Sequence, residues 1–395
     1  MTDLPTRRTP GCPFDPPAAL SDRPAVGPLT FPDGHRGWLV TAYEPARAVL
    51  ADPRFSVRAD LRHSPLPRPN VRSRSADGTA PPGWFGGMDP PAHSRYRRLL
   101  AGSFTVQRMR RLEPRVAEIA ARRLDAMAAE GPPADLVQAY ALPIPSLVIC
   151  ELLGVPYDDH AFFQEHSAVA LDLASSEERA TASVGELAGY LAGLVRRHRA
   201  RPGDDLLGEL VTRSDLTGEE LTNIALTLLV AGHETTAGML ALGVFALLRH
   251  PDRLDAFRRD PSLTETAVEE LLRYLTVVHL GAPGRVALED AEVGGRTVRA
   301  GETVVLALPA VNRDPARFPD PAVLRLDRAE ARHHLAFGHG VHQCLGQQLA
   351  RIEMRIGFRA LFDRFPGLRL AVAPDEVPMR DTALVYGVRR LPVAW

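Results

Sequence analysis

The stretch from Thr217 to His250 constrains the fold of this chain more than any other. Thr217 and Glu220 have the spacing of a capping box, and Pro251 supplies the stop. Between them runs a long helical pattern with no charged stripe. A helix that is apolar all round has to be buried, so this one is expected to pass through the protein centre. Ala231-Gly232-His233-Glu234-Thr235-Thr236 interrupts it. An acid and two threonines cost free energy in such a setting unless they are paired. Threonine hydroxyls can bond back to helix carbonyls and bend the axis, and Gly232 leaves room for a small ligand beside the backbone. On these residues alone the stretch is either a satisfied helix bulge or a functional site.

The remaining pattern is mostly helical. Trp38 to Tyr43 reads as a strand, followed by a helix from Glu44 to Leu50. Helical patterns run with breaks from Pro91 to His198. Ser262 and Glu265 are expected to cap a helix ending near Tyr274, and a further helix runs from Leu345 to about Phe362. Arg58 to Pro82, rich in Arg, Pro and Ser, is a loop, and Arg285 to Leu308 holds short strands. The expected class is therefore mainly α with a small segregated β content, not a doubly wound sheet or a barrel. No linker or internal repeat divides the 395 residues, so one domain over 1–395 is expected, with 1–17 flexible and no fused reductase. The polar, proline-rich start has neither a signal-peptide nor an anchor pattern, which predicts a cytoplasmic protein without a membrane anchor. A formal net charge of -1 gives no argument for nucleic acid.

Cys12, Cys150 and Cys344 are too scattered for a disulfide framework, a zinc-finger pair or covalent haem attachment. Cys150, in Ile149-Cys150-Glu151-Leu152-Leu153, reads as packing. Cys344 is different. Phe337-Gly338-His339-Gly340-Val341-His342-Gln343-Cys344-Leu345-Gly346 places it after a glycine-rich loop and just before a helix. Loop N–H groups and the positive helix end both favour a thiolate. A buried thiolate is what an axial haem ligand requires. A structural thiol in a glycine-rich turn is the alternative.

With Phe337, Gly338, Gly340, His342, Cys344 and Gly346 in place, the loop resembles the cysteine-ligand loop of the cytochrome P450 family. The resemblance covers nearly the whole chain, from Gly11-Cys12-Pro13-Phe14 to Leu391-Pro392-Val393-Ala394-Trp395, and is closest to the soluble actinobacterial members. It implies a triangular haem domain with a long central helix. It also implies heme b, held non-covalently with Cys344 as the metal ligand, Phe337 shielding the sulfur, and Gly338 and Gly346 beside it. His93, Arg97, Arg285 and His342 are similar to the family's propionate partners. Ala231 would lie on the haem face. Thr235 would hydrogen-bond the activated dioxygen, Glu234 would feed it protons, and Thr236 would be structural. Glu270 and Arg273, three apart on one helix face, resemble the family's buried Glu-x-x-Arg pair, with Arg317 as candidate third partner. His339 is expected to face solvent.

No Gly-x-Gly-x-x-Gly stands in a strand–turn–helix context, and there is no ferredoxin cysteine cluster. The resemblance therefore implies a separate ferredoxin and ferredoxin reductase, with Arg108, Arg110, Arg111, Arg351 and Arg355 as candidate docking residues. It implies a monomer acting on an apolar small molecule: a polyketide, macrolide, terpene or modified peptide. Trp84, Phe85, Met88, Leu229, Val278 and Leu280 are candidate walls. Hydroxylation or epoxidation is the expected reaction. Oxidative coupling or desaturation is the alternative, and a haem sensor a more distant one.

Overall fold

In the computed structural model, residues 4–8, 11–66, 79–279 and 284–395 are described. The central helix spans Gly218–Arg249. Its capping box is formed: Thr217 Oγ1 accepts the Glu220 N–H at 3.2 Å, and the Glu220 carboxylate accepts the Thr217 N–H at 2.7 Å. The helix continues unbroken through Ala231–Thr236. Thr235 Oγ1 donates back to the Ala231 carbonyl at 2.9 Å, so the hydroxyl is satisfied without a bulge.

Helices Pro143–Leu153, Glu177–Ala200, Gln347–Arg364 and Thr264–Leu275 pack around this axis. Glycines set two of the close approaches. A Cβ on Gly232 would fall 3.1 Å from the Ile149 side chain, and one on Gly243 2.5 Å from Phe358. The small size of Gly232 therefore serves helix packing, and Gly232 also lines the cavity, as expected of a residue that leaves room for a ligand. Among the described residues this is the one helix long and apolar enough to cross a membrane, and 72% of its most apolar window is buried inside the protein. Packing thus accounts for its hydrophobicity.

The β structure is minor and lies apart from the helices. Five strands pair in the order Val26–Thr30, Arg36–Val40, Thr303–Leu306, Gly284–Ala287 and Phe55–Ser56. Two smaller sheets complete it, one of Ala134–Asp135, Pro392–Ala394 and Arg369–Leu370, the other of Ala291–Val293 and Arg296–Val298. The mainly α class with segregated sheets is what the sequence predicts. The cap before Thr264–Leu275 differs. Asp260, not Ser262, accepts the first N–H, from Ser262 at 2.9 Å, and a 3₁₀ turn over Pro261–Leu263 leads into the helix. The acid outcompetes the serine, whose own hydroxyl donates to Asp260 at 2.6 Å.

That helix carries the ion pair that fixes the region before the cysteine loop. Arg273 and Glu270 are 0% exposed, joined at 2.7 and 2.8 Å. Arg273 also donates to the carbonyls of Asn312 and Pro321, both at 3.0 Å. The third partner is Arg328, whose Nε donates to Glu270 at 3.2 Å and whose Nη2 reaches the carbonyls of Asp320 and Val323 at 3.0 Å. Arg317, the sequence candidate, instead lies over the rings of Tyr43 and Phe318. Arg328 is fully buried and saturates the carboxylate together with the carbonyls of Pro319, Asp320 and Val323. A guanidinium has five fixed donors, and a buried one needs most of them used.

Candidate active site

The stretches named from the sequence meet in one cavity of about 400 Å³. The central helix contributes Thr227, Leu228, Ala231, Gly232, Thr235, Thr236 and Met239. Their three- and four-residue spacing marks a single helix face. Opposite stands the loop from Ala336 to Gly346. His93, Arg97 and Arg285 line the same cavity. Every predicted cofactor residue is on its wall, and so is Thr235.

The cysteine loop is closed by backbone bonds. Cys344 N–H donates to the Phe337 carbonyl at 2.8 Å, and Gln343 N–H to that of Gly340 at 3.0 Å. Gly338 and Gly340 take the left-handed conformation, at φ +70° and +72°. Gly340 is also pressed against the Leu50 carbonyl, which a Cβ would meet at 2.6 Å. Gly340→Ala is therefore expected to destabilise the protein by about 1–3 kcal/mol, read as a lower unfolding midpoint in denaturant. By contrast, Cβ atoms on Gly346 would meet nothing within 4 Å and on Gly338 only the His342 carbonyl at 4.0 Å. Neither of these glycines is therefore held by a close neighbour, and both line the cavity with Cys344.

Helix Gln347–Arg364 begins two residues later than the sequence pattern suggests, with no side-chain cap. Its first N–H groups are free to face the sulfur, and those of Gly346 and Gln347 do so. The Cys344 side chain opens to the cavity while protein surrounds it on the other sides. Burial raises its thiol pKa, and the two N–H groups, Arg97 and Arg351 oppose that rise without cancelling it. The expected preference for thiolate is therefore not met by the protein alone. A metal cation bound by Cys344 would supply the missing positive charge, since a metal-bound thiol is deprotonated outright.

Four basic side chains gather on one edge of the cavity. The His93 and His342 rings lie 4.1 Å apart. Burial first, then Arg97, depresses the His93 pKa to about 4. Burial, then His93, Arg285 and Arg97, depresses that of His342 to about 3. Burial lowers Arg285 to about 10. Among the described residues, buried His93 Nδ1 has no partner, and Arg285 donates to its neighbour's carbonyl at 3.0 Å. Burying the Arg97 and Arg285 charges here is costly unless an anion sits against them. The carboxylate edge of an iron-bearing macrocycle fits this basic edge together with the Cys344 sulfur on the same wall.

Beneath the loop lies a network that the sequence reading missed. Glu269 binds Arg351 at 2.6 and 3.0 Å, and His334 Nε2 approaches it at 3.2 Å. Arg351 also covers the Phe337 ring, 4.6 Å from its centroid. Burial raises the Glu269 pKa, but His334 and Arg351 outweigh it and hold the group at about 2, against 4.5 ordinarily. The unfolded chain therefore binds the proton first on acidification. The stability from Glu269 is fully present above about pH 4.5 and is lost as pH falls towards 2. Glu269→Gln should flatten the acid limb of melting temperature against pH.

Other expectations are revised. His339 is half-buried on the cavity wall, not in solvent. Leu229 is core, and Leu228 takes its place on the wall. Phe85 and Val278 do line the cavity, Met88 lines a neighbouring surface cleft, and Leu280 lies outside the described residues. Glu234 is buried away from the cavity, 2% exposed, with Oε2 at 2.6 Å from Arg380 Nη1. Of the docking arginines, Arg351 is tied to Glu269, Arg355 to Glu265 and Glu113, and Arg108 to Glu209. Arg110 and Arg111 are exposed.

Comparison with known proteins agrees with this geometry. The family profile "Cytochrome P450" matches residues 87–385. Cytochrome P450 105C1 of a Streptomyces species is 51% identical over 386 residues, covering 97% of this chain and 96% of the relative. Pentalenic acid synthase of Streptomyces avermitilis is 46% identical, covering 97% and 95%. The crystal structure of CYP105P1 in complex with filipin I superposes with a TM-score of 0.92 at 42% identity, covering 100% of this chain and 98% of that one. With a sulfur, a basic edge and a threonine-lined helix on the wall of one cavity, and with relatives matched over nearly their full length, this chain belongs to the cytochrome P450 family.

Proposed function

We propose that this protein is a haem-thiolate monooxygenase that hydroxylates or epoxidises an apolar secondary metabolite, with electrons supplied by a ferredoxin. The observation that carries the reading is the convergence of Cys344, four closely placed basic side chains and Thr235 on one cavity. Pentalenic acid synthase and the filipin I complex, both of relatives, support a natural product as the substrate class.

When bound, the haem supplies the redox chemistry that activates dioxygen. Cys344 would ligate it, and the N–H groups of Gly346 and Gln347 would hold charge on the sulfur. His93, Arg97, Arg285 and His342 would receive its carboxylates. Phe337, Leu349, Met354, Phe85, Leu228 and Val278 give the cavity apolar walls that exclude water. Thr235 commits its hydroxyl proton to the Ala231 carbonyl, so it faces the cavity with its lone pairs. It can therefore accept from and orient a proton donor above Ala231. Glu234 is the adjacent proton source. To serve the cavity it has to leave Arg380.

Reconstitution with haem, followed by isotopically labelled dioxygen, ferredoxin, reductase and NAD(P)H, tests the reading. One labelled oxygen atom in the product supports it. A labelled atom absent from a formed product favours coupling or desaturation instead. Thr235→Ala is expected to keep the haem spectrum while the product formed per NAD(P)H falls about tenfold and peroxide rises. Unchanged coupling across several substrates would remove Thr235 from this role.

A further inference from the structure

His233, the neighbour of Glu234, has no place in the scheme above. It is 1% exposed and sits in the middle of the central helix. Its Nδ1 is 2.8 Å from the Leu229 carbonyl. A carbonyl only accepts, so this contact places the ring proton on Nδ1 and leaves a lone pair on Nε2. Nε2 is buried with no hydrogen-bond partner. A buried unpaired acceptor is unfavourable, and its presence calls for an explanation.

The nearest charged atom is Glu234 Oε1, at 3.8 Å. The same chain contains a finished version of this arrangement. His198 points Nδ1 at the carbonyl four residues back, Leu194, at 3.1 Å, and its Nε2 meets Asp205 Oδ2 at 2.8 Å. His233 repeats the first half of that pattern and stops short of the second. Arg380 accounts for the difference, because it draws the Glu234 carboxylate to itself at 2.6 Å. Glu234 thus has two competing partners on opposite oxygens.

Arg380 stands in the C-terminal hairpin, where its N–H donates to the Gly387 carbonyl at 2.9 Å and Met379 bridges Val388. The same hairpin bridges Val278, a cavity-wall residue, through Val385, and Asp172 through Ala383. One partner of Glu234 is therefore attached to the substrate wall, and the other to the central helix itself. Glu234, on its own helix, approaches His233, and Arg380 from the hairpin reaches the pair through Glu234. Helix Gln347–Arg364, which also packs on the central helix, carries the buried Glu353. Helix Pro143–Leu153, packed on this stretch at Ile149, has only Ser146 and Cys150 as buried polar groups.

We propose that His233 is a positioning residue that stores the proton passed through Glu234, by closing the gap between Nε2 and Oε1 when Glu234 leaves Arg380. The inference rests on Glu234 being the proton source. In the step, the Oε1–H bond breaks as the Nε2–H bond forms. No electrons are exchanged, and the charge of the pair is unchanged. The reverse step returns the proton to Glu234 for delivery towards Thr235. A movement of the cavity wall that pulls Arg380 away thereby switches Glu234 from a fixed ion pair to a mobile one.

The test uses the haem-loaded protein. Nitrogen NMR of labelled histidine in the diamagnetic ferrous carbon monoxide form reports the Nε2 proton directly, with the His233 signal assigned by its loss in His233→Phe. The Nε2 resonance is expected to move with pH and to change in Glu234→Gln and Arg380→Ala. A lone-pair signal that stays fixed with pH and in both variants overturns the proposal. Peroxide release with an alkoxycoumarin probe is the second readout. His233→Gln offers an amide that can hold Glu234 but cannot carry a transferable proton, so it is expected to raise peroxide about tenfold, as His233→Phe does. If Glu234→Gln uncouples the enzyme while both His233 variants keep native coupling, the role of His233 is wrong and that of Glu234 stands. If Glu234→Gln itself keeps native coupling, the proton source is misassigned and this inference falls with it. Should His233→Phe not fold, His233→Gln carries the test.

Discussion

Cys344→Ala is expected to abolish the red-shifted Soret band of the reduced carbon monoxide adduct and to lower haem retention through gel filtration. Among the described residues, Cys344 is the only thiol on the cavity wall, beside the thioethers of Met239 and Met354. The loop imidazoles His339 and His342 also line the cavity, but a nitrogen ligand does not give the red-shifted band of a thiolate. Loss of the band should therefore be complete. A variant that keeps the red-shifted band would show that the ligand lies elsewhere. A wild-type protein that stays cofactor-free, or takes up zinc, after haem supplementation would defeat the enzyme reading.

Glu270→Ala should be the most destabilising single change. It leaves Arg273 and Arg328 buried with their charges uncompensated, and it removes the acceptor of the Arg325 N–H at 2.9 Å. Breaking a buried pair by deleting one partner costs about 3–5 kcal/mol, a large share of the stability of an ordinary domain. Insoluble or haem-free protein is the expected outcome on expression. Arg317→Ala is the control: it removes only ring contacts with Tyr43 and Phe318 and should cost less than about 1 kcal/mol. Comparable loss in the two variants would contradict the assignment of Arg328 as the third member.

The central helix was legible because its signals are local: a cap, an uncharged run and a proline stop, all within one stretch of chain. The ligand loop was legible for the same reason, since three glycines and a cysteine at fixed spacing leave few conformations. Arg328 was not, because choosing among the arginines after Asn312 requires knowing which one the chain folds back onto Glu270. Nor was the Glu234–Arg380 pair, whose members are 146 residues apart. The cavity wall shows the limit within a single helix. Periodicity places Ala231 and Thr235 on one face, yet Leu228 and Leu229 differ by only one step, and only packing against the other helices decides which looks inward. The thiol of Cys344 shows a different limit. The loop dipoles were read correctly in sign, but the desolvation that outweighs them depends on how completely the rest of the protein encloses the sulfur.

The cavity wall is assembled from widely separated parts of the chain, and this sets an order of events during synthesis. His93 and Arg97 leave the ribosome roughly 250 residues before Cys344, an interval on the order of 10–50 s at ordinary elongation rates. During that time the helix bearing Glu270 and Arg273 has emerged, but Arg328 comes only near the end of the interval. The basic edge is therefore exposed on a nascent chain with no ligand opposite it. On the proposed reading, haem capture through Cys344 would become possible only once Cys344 itself has been made, and the hairpin bearing Arg380, which pairs with Glu234, follows it in the chain. Birth order would then separate the basic edge, made early, from the sulfur that completes the site.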